Sequence, residues 1–407
     1  MIPRHRPPFA ISAVLRAVLC QSKTVSVEAL ENAYGELFGL HAALLPSARA
    51  GICWALRSVV RPETVVIGPV YTCQVVHEAM ARSGYQFQLV DTERNGFLMD
   101  PKSIPAENGE RYAIVLCEMY GESYESYRFA VAPELKIIDT AMTLPTKHLC
   151  ERVKHNDCIV MSFGIGKCLY SGFGGLMLSR AKEFADEIKS RRDANLRQAD
   201  VLLSIRRGVE IGLRTLAHAR GIYRYSSIFR KRPSGPETFP SDWHNDKNAS
   251  EEWRMPTTYL DRKLAIYNLE HSVEFYDQRI NLANRYQRNL GGVVGLALPR
   301  TSHYAMSHYT IRVPAHLRAS IQTALRRQGV DTGTLFKFPP YLSKDQYANA
   351  GRIGGEVLNL PLDASLTDME VDYVSDSLIR CLSEISTEGG YIDRDLQSLP
   401  RVQQLDQ

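Results

Sequence analysis

Between about residue 45 and residue 180, short runs of β-branched and apolar residues alternate with stretches of helical periodicity. The runs are TVVIGPV (64–70), QFQLVD (86–91), AIVLCEMYG (113–121), LKIIDTA (135–141) and CIVMSFG (158–164), with GGLMLS (174–179) soon after. Near-continuous apolar strands separated by crossover segments predict an α/β fold: a mostly parallel sheet covered by helices on both faces. In open sheets of this kind ligands bind outside the carboxyl ends of the strands. The polar residues that end these strands are therefore the first candidates for chemistry.

The remaining pattern predicts a second unit. Phe9–Cys20 reads as an amphipathic helix, because Arg16 interrupts its apolar run and no small-residue cleavage pattern follows. Residues 181 to about 232 read as helical, until proline, glycine and asparagine break the pattern from 233 to 250. Beyond Pro256 a helical pattern runs to about 289, followed by the strand SHYTIRVP (307–314), a helix over 316–328, the strand VLNLPL (357–362) and a helix over 368–385. The expected division is a large domain over 1–250, with a basic helical insertion at about 190–250, a small C-terminal α+β domain over 251–387, and a loose tail over 388–407.

Composition narrows the class. With 407 residues, 44% hydrophobic and 23% charged, the chain is too long for one compact core and too apolar for general disorder. A net charge of +4, with no basic run interleaved with aromatic residues, gives no case for nucleic acid. A small-molecule partner is expected instead. The charge is uneven: residues 191–232 hold eleven Lys and Arg against three Asp and Glu, 11 − 3 = +8. The favoured reading is a solvated, subunit-packing helical pair, ahead of a surface for an anionic substrate or membrane. Eight cysteines, at 20, 53, 73, 117, 150, 158, 168 and 381, show no paired metal-ligand spacing, which points to a reducing cytoplasm and to no metal. No apolar run approaches the roughly 20 residues that span a bilayer, so no integral membrane segment is expected.

Four features stand at the predicted strand ends. Lys167 closes SFGIGK (162–167) directly after a strand, where burial would favour its reactive neutral amine. Asp139 ends the otherwise apolar LKIIDTA, and a carboxylate there either caps the next element or meets a cation; taken alone, capping is commoner by roughly two to one. Ser162 offers a hydroxyl to a phosphate. Pro46 to Gly51 leads into the helical run ICWALRSVV, whose free backbone amides at Ala48, Arg49 and Ala50 suit a phosphate at a helix N-terminus.

The order of these pieces resembles the DegT-type family, the sugar-nucleotide aminotransferases of fold type I. SARAGICWAL (47–56) resembles that family's Ser-Gly-Thr/Arg-Ala-Ala-Leu segment. GPVYTCQVVHEAMARSGYQFQLVD (68–91) resembles its Pro-Ala-Tyr-Thr stretch, MYG (119–121) its Leu-Tyr-Gly, and IIDTA (137–141) its Glu-Asp-Ala-Ala. SFGIGKCLYSGFGG (162–175) is similar to its Ser-Phe-x-x-x-Lys-x-Leu-x-x-Gly-Glu-Gly-Gly signature. The likeness continues in RMP (254–256), IRVP (311–314) and GGEVLNLPLDASLTDMEVDYV (354–374), in order over about 25–385. It implies a fold type I architecture with a seven-stranded sheet, pyridoxal 5′-phosphate as cofactor, Lys167 as the Schiff-base lysine and Asp139 as partner of the pyridine nitrogen. It further implies that Ser162 with the Ala48 to Ala50 backbone holds the phosphate, that Cys73 lies near the cofactor face, and that the protein is a homodimer. The implied reaction moves an amino group from glutamate or glutamine to a keto group of a sugar nucleotide or related biosynthetic intermediate.

Several positions depart from the family. Cys73 stands where many members have an aromatic ring, Met142 replaces a glutamine or histidine, Phe173 replaces the glutamate of Gly-Glu-Gly-Gly, and Glu252 falls where an asparagine is common. A carboxylate at 252 beside a phosphate needs a cation such as Arg254, Lys231 or Arg49. These changes leave open a different pyridoxal-phosphate reaction, elimination or carbon–carbon bond formation, and a non-catalytic binding protein on the same fold. Tyr71, Tyr120, His308 and Tyr309 are pocket candidates, with a packed core role the commoner for each tyrosine and a satisfied surface place equally open for His308. KFPPY (337–341) is a candidate pocket rim.

Overall fold

The structure is a computed structural model and describes residues 1–9, 11–19, 25–104, 111–125, 127, 129, 131–197, 201–219, 221–225, 253–300 and 304–388. Glu252, Lys231 and the tail beyond 388 lie outside the described residues. Helices α1 (Ile11–Leu19) and α2 (Val27–Phe38) precede strand β1 (His41–Leu45), and α3 (Ala48–Val59) leads to β2 (Val65–Pro69). Next come α4 (Gln74–Ser83), β3 (Phe87–Val90), β4 (Tyr112–Cys117), β5 (Leu135–Asp139), α5 (Lys147–Arg152), β6 (Asp157–Ser162) and β7 (Gly175–Ser179). The chain continues through α6 (Lys182–Asn195), α7 (Val201–Ala217), α8 (Tyr259–Glu270), α9 (Ser272–Leu290), β8 (Tyr309–Arg312), α10 (Arg318–Arg327), α11 (Ala348–Glu356), β9 (Val357–Leu360) and α12 (Asp368–Glu388).

Seven strands form one sheet in the order β1-β7-β6-β5-β4-β2-β3. The pairs β2–β3, β2–β4, β4–β5 and β5–β6 are parallel, whereas β7 runs antiparallel to both β6 and β1. Every residue of β4 is buried, as expected for a central strand covered on both faces. The six runs read from the sequence all form strands of this sheet. β1 does not announce itself in the sequence, because HAALL follows α2 after only Gly39 and Leu40. Gly39, at φ 64°, ends α2 in the left-handed conformation and turns the chain into β1.

Two sequence-read helical stretches are divided. The pattern from Pro256 to 289 is two helices, broken at His271, where His271 Nδ1 bonds the Tyr267 carbonyl and Ser272 Oγ the Leu269 carbonyl. Such side-chain bonds offer the backbone an alternative to the helical ladder. The described part of the basic stretch includes α6 and α7, and the exposed face of α7 is largely aliphatic, with Arg206 exposed beside it. α7 turns Leu202, Ile205, Val209, Leu213 and Leu216 to solvent, buries Arg207 over the Phe173 ring and pairs Arg214 with Glu210. Among the described residues no helix is long and apolar enough to cross a membrane.

The largest hydrophobic cluster packs the sheet between its helices, with Leu45, Ile52, Ile114, Ile137 and Leu178 inside it. A second cluster joins α9, α10 and α12 to the antiparallel pair β8–β9 through Leu282, Tyr286, Ile311, Leu358 and Leu378. A third gathers Phe9, Val14, Tyr170, Ile211, Leu260 and Leu264, tying α1, α7 and α8 to the loop after β6. Within the second cluster, buried Arg279 of α9 donates from Nη1 to the Met306 and Leu362 carbonyls, both at 3.0 Å, and to the Ser307 carbonyl at 3.5 Å. Arg279→Met keeps the apolar stem and strands those carbonyls, so it should cost about 2–4 kcal/mol. Urea unfolding that shows a loss below 1 kcal/mol would mean these bonds are replaceable.

Candidate active site

Three parallel strands deliver the central groups to one edge of the sheet. β5 ends in Asp139, whose partners across the sheet are Cys117 of β4 and Val160 of β6. Its side chain is buried; Oδ1 accepts from the Ala141 amide at 2.9 Å, and Oδ2 meets the Cys117 thiol at 3.8 Å. Burial pushes this carboxyl above its ordinary range, while the Ala141 amide, the Lys167 ammonium and the Cys117 thiol act the other way. A thiol is a weak donor, so Oδ2 retains capacity for a better one.

Lys167 lies on the loop after β6. Gly166, at φ 73°, allows the turn that precedes it, and the Lys167 amide bonds the Gly164 carbonyl at 3.3 Å. Its ammonium donates to the Met142 thioether at 3.3 Å, and among the described residues no carboxylate lies within ion-pair distance. Cys73, at the start of α4, shares this region: burial raises its thiol, and the Lys167 charge is the strongest opposing influence, with Asp139 and Arg49 also acting on it. Lys167, Asp139 and Cys73 are thus brought together.

The phosphate candidates meet on the neighbouring side. Ser162 pairs with Gly175 across β6–β7, and its Oγ accepts from the Gly164 amide at 3.3 Å. A Cβ on Gly175 would lie 2.7 Å from the Ala48 amide nitrogen and 2.6 Å from the Met161 carbonyl oxygen, both backbone atoms. Only glycine lets the start of α3 approach β7 this closely. Ser47 caps α3, its Oγ accepting from the Ala50 amide at 3.2 Å, which leaves the Ala48–Arg49 end as the helix's anion-attracting pole. The Arg49 guanidinium is turned to Glu78 at 3.0 Å.

Other candidates take structural places. The hydroxyls of Tyr71 and Tyr120 both donate to the Leu335 carbonyl, at 3.4 and 3.0 Å, and that of Tyr309 to Gln287 Oε1 at 2.8 Å. KFPPY docks on α4, where the Tyr341 hydroxyl meets His77 Nδ1 at 2.8 Å. His308 is buried rather than at the surface.

The sequence matches the model of the DegT/DnrJ/EryC1/StrS aminotransferase family over residues 10–225 and 255–379. The chain belongs to this family. No curated protein matches it by sequence. Solved structures share its fold at low identity. The aminotransferase TlmJ from Streptoalloteichus hindustanus is 18% identical with a TM-score of 0.65, over 95% of this chain and 100% of that one. The putative sugar aminotransferase Spr1654 from Streptococcus pneumoniae, in its PMP form, is 17% identical with a TM-score of 0.70 over the same shares. PseC from Helicobacter pylori, an aminotransferase involved in the biosynthesis of pseudoaminic acid, is 14% identical with a TM-score of 0.65, over 94% of this chain and 99% of that one. The fold is that of the type I aminotransferases.

Within this aminotransferase the departures have defined surroundings. Met142 gives Lys167 a thioether where an amide or imidazole would bond it more firmly. Phe173 sits in the turn between Gly172 (φ 114°) and Gly174 (φ 108°) as the platform for Arg207.

One charged group went unread in the sequence. Glu118 follows β4 as Asp139 ends β5, so the same signal, a carboxylate closing an apolar strand, marks it. It is buried, accepts from the Ser123 hydroxyl and from Thr143 Oγ1 at 3.1 Å, and has its pKa raised from 4.5 to about 7, chiefly by burial. Its protonated form stabilises the fold fully below about pH 4.5, and that contribution is lost as pH rises through about 7. Relative to Glu118→Gln, the wild type should therefore lose about 2–3 kcal/mol between pH 4.5 and pH 8. Urea titrations of both proteins at the two pH values check this; a constant gap would show that the carboxyl ionises normally.

Proposed function

We propose that this aminotransferase holds pyridoxal 5′-phosphate between Lys167 and Asp139. There it would move an amino group from glutamate or glutamine to a keto group of a sugar nucleotide or related biosynthetic intermediate. The observation that supports this best is the placing, at one edge of the sheet, of a buried, under-donated carboxylate near a lysine that has no ion-paired carboxylate among the described residues. The residues fit the cofactor: Asp139 Oδ2 has room for a strong N–H donor, and the glycine at 175 opens the start of α3 to a phosphate.

When bound, pyridoxal phosphate supplies the electron sink that makes a substrate's α-proton removable. The protein does the rest. Asp139 accepts a hydrogen bond from the ring nitrogen and keeps it protonated, which burial makes more effective. The α3 amides and the Ser162 hydroxyl hold the phosphate. Lys167 Nζ, bonded among the described residues to a thioether alone, is free to take a proton from the substrate carbon as base and return it as acid.

The exposed aliphatic line on α7 supports a homodimer, since Leu202 and Leu213 are 75% and 62% exposed and a monomer rarely presents such a stripe to water. The described cysteines are all free, which fits a reducing cytoplasm.

Two measurements check this reading. Protein loaded with the cofactor should show a visible absorbance band that is absent in Lys167→Ala and altered by glutamate or glutamine, with amino transfer slowed by about 100- to 10,000-fold in the variant. A band that persists in Lys167→Ala, or that no amino donor alters, would overturn it. For the assembly, light scattering should find a dimer that Val209→Glu with Leu213→Glu converts to monomer. An intact dimer in that variant would place the interface elsewhere.

A further inference from the structure

The segment before α1 is a strap fixed at both ends. Ile2 forms a parallel bridge with Val330, its amide bonding the Gly329 carbonyl at 2.7 Å and its carbonyl accepting from the Asp331 amide at 3.0 Å. Arg6 pairs with Glu370 at 2.9 Å, and buried Phe9 stacks on Tyr170 of the Lys167 loop with ring centroids 5.7 Å apart. Between these anchors His5 rests against the residue that precedes Lys167, and the Arg4 side chain lies against Gly333, near enough for its charge to act on His308.

The contacts there are close. A Cβ on Gly166 would lie 3.9 Å from His5 Cε1 and 3.8 Å from His308 Cε1, so both imidazoles rest against the residue before Lys167. The His5 and His308 rings meet edge to face at 5.9 Å. Gly333 leaves space for Arg4, since a Cβ there would come within 2.6 Å of its Cδ and 2.9 Å of its Cζ.

Two groups in this cluster lack acceptors or donors. His308 is 2% exposed; its Nδ1 is bonded to Ser307 Oγ at 3.0 Å, and its Nε2 is buried without a partner. Arg4 Nε is buried without an acceptor, and among the described residues Arg4 has no ion pair. Burial, with the nearby positive charges of His5, Arg4, Arg279 and Lys167, drives His308 well below its usual pKa, so it is a neutral ring. Of these cations, Arg279 is engaged with carbonyls. Buried donors of this kind cost stability unless a ligand answers them.

We propose that Arg4 and His308, gathered by the strap beside Lys167, form a subsite for the α-carboxylate of the amino donor. This rests on Lys167 being the lysine that reacts. A guanidinium presents a fork matched to two carboxylate oxygens, and in the tautomer whose Nδ1 accepts from the Ser307 hydroxyl the neutral His308 ring adds one N–H from Nε2 without adding charge. One formal charge suits a monoanion better than a phosphate dianion. An amino acid also carries its carboxylate on the carbon that bears the reacting amine, so the carboxylate must be held close to the lysine.

Calorimetric titration of the purified protein with glutarate, galacturonate and inorganic phosphate tests the subsite without turnover. Glutarate should bind, and Arg4→Gln should weaken it by about 10- to 100-fold, with Arg4→Lys between the two because it keeps the charge and loses the fork. His308→Ala should weaken it by less. Glutarate affinity unchanged in Arg4→Gln overturns the proposal. So does a selective loss of phosphate binding, or of galacturonate binding alone, which would assign Arg4 to the acceptor's anion. The absorbance of Lys167→Ala is read separately, so a failure of the cofactor reading is distinguishable from a failure of this subsite.

Discussion

A carboxylate inside a parallel sheet is expensive to keep, and the site is organised around the fact that Asp139 is kept there. One amide and one thiol answer it, and the nearest strong charge is the ammonium of Lys167, on the loop beyond the next strand. Removing either charge would leave the other poorly matched in a water-poor setting. Cys73 lies in the same field, so its departure from an aromatic ring changes the packing on this spot and leaves the charges in place.

The sheet's one reversal of direction sets the phosphate candidates side by side. Because β7 runs antiparallel between β6 and β1, its first residue, Gly175, lies opposite Ser162 on one side and Leu45 on the other. The chain leaves Leu45 for the start of α3, so hydroxyl and helix pole are set side by side by strand register. Nothing in that arrangement depends on a long flexible side chain. A phosphate held by backbone and a serine would be fixed relative to Asp139 by the sheet itself.

Much of this was legible in the sequence, for identifiable reasons. The six strands were plain because strands covered on both faces, such as β4, read as unbroken apolar runs, and the ends of β5 and β6 named Asp139, Ser162 and the loop of Lys167. β1 was hidden by its proximity to α2, with Gly39 as the slight clue. The break at His271 depends on side-chain bonds that periodicity does not encode. Charge counting foresaw a basic helical pair but missed that α7 buries Arg207 and presents a mainly aliphatic line to water, since net charge says nothing about which face a residue occupies. The neighbourhood of Arg4, His5 and His308 was invisible because residues far apart in the chain meet there through tertiary packing. Glu118 carried the same signal as Asp139 and was passed over.

The pairing of β1 with β7 also sets an order in time. His41 meets Ser179 and Leu45 meets Gly175, so a strand made early finds its partner only after the whole parallel run between them exists. During synthesis α3 emerges long before the glycine that backs its first turn, and that pole stays unmoored until β7 has cleared the ribosome. Long-range closures of this sort are slow steps in folding. The end of the sheet that holds the phosphate candidates is therefore among the last parts to be completed, although its helix is among the first to be made.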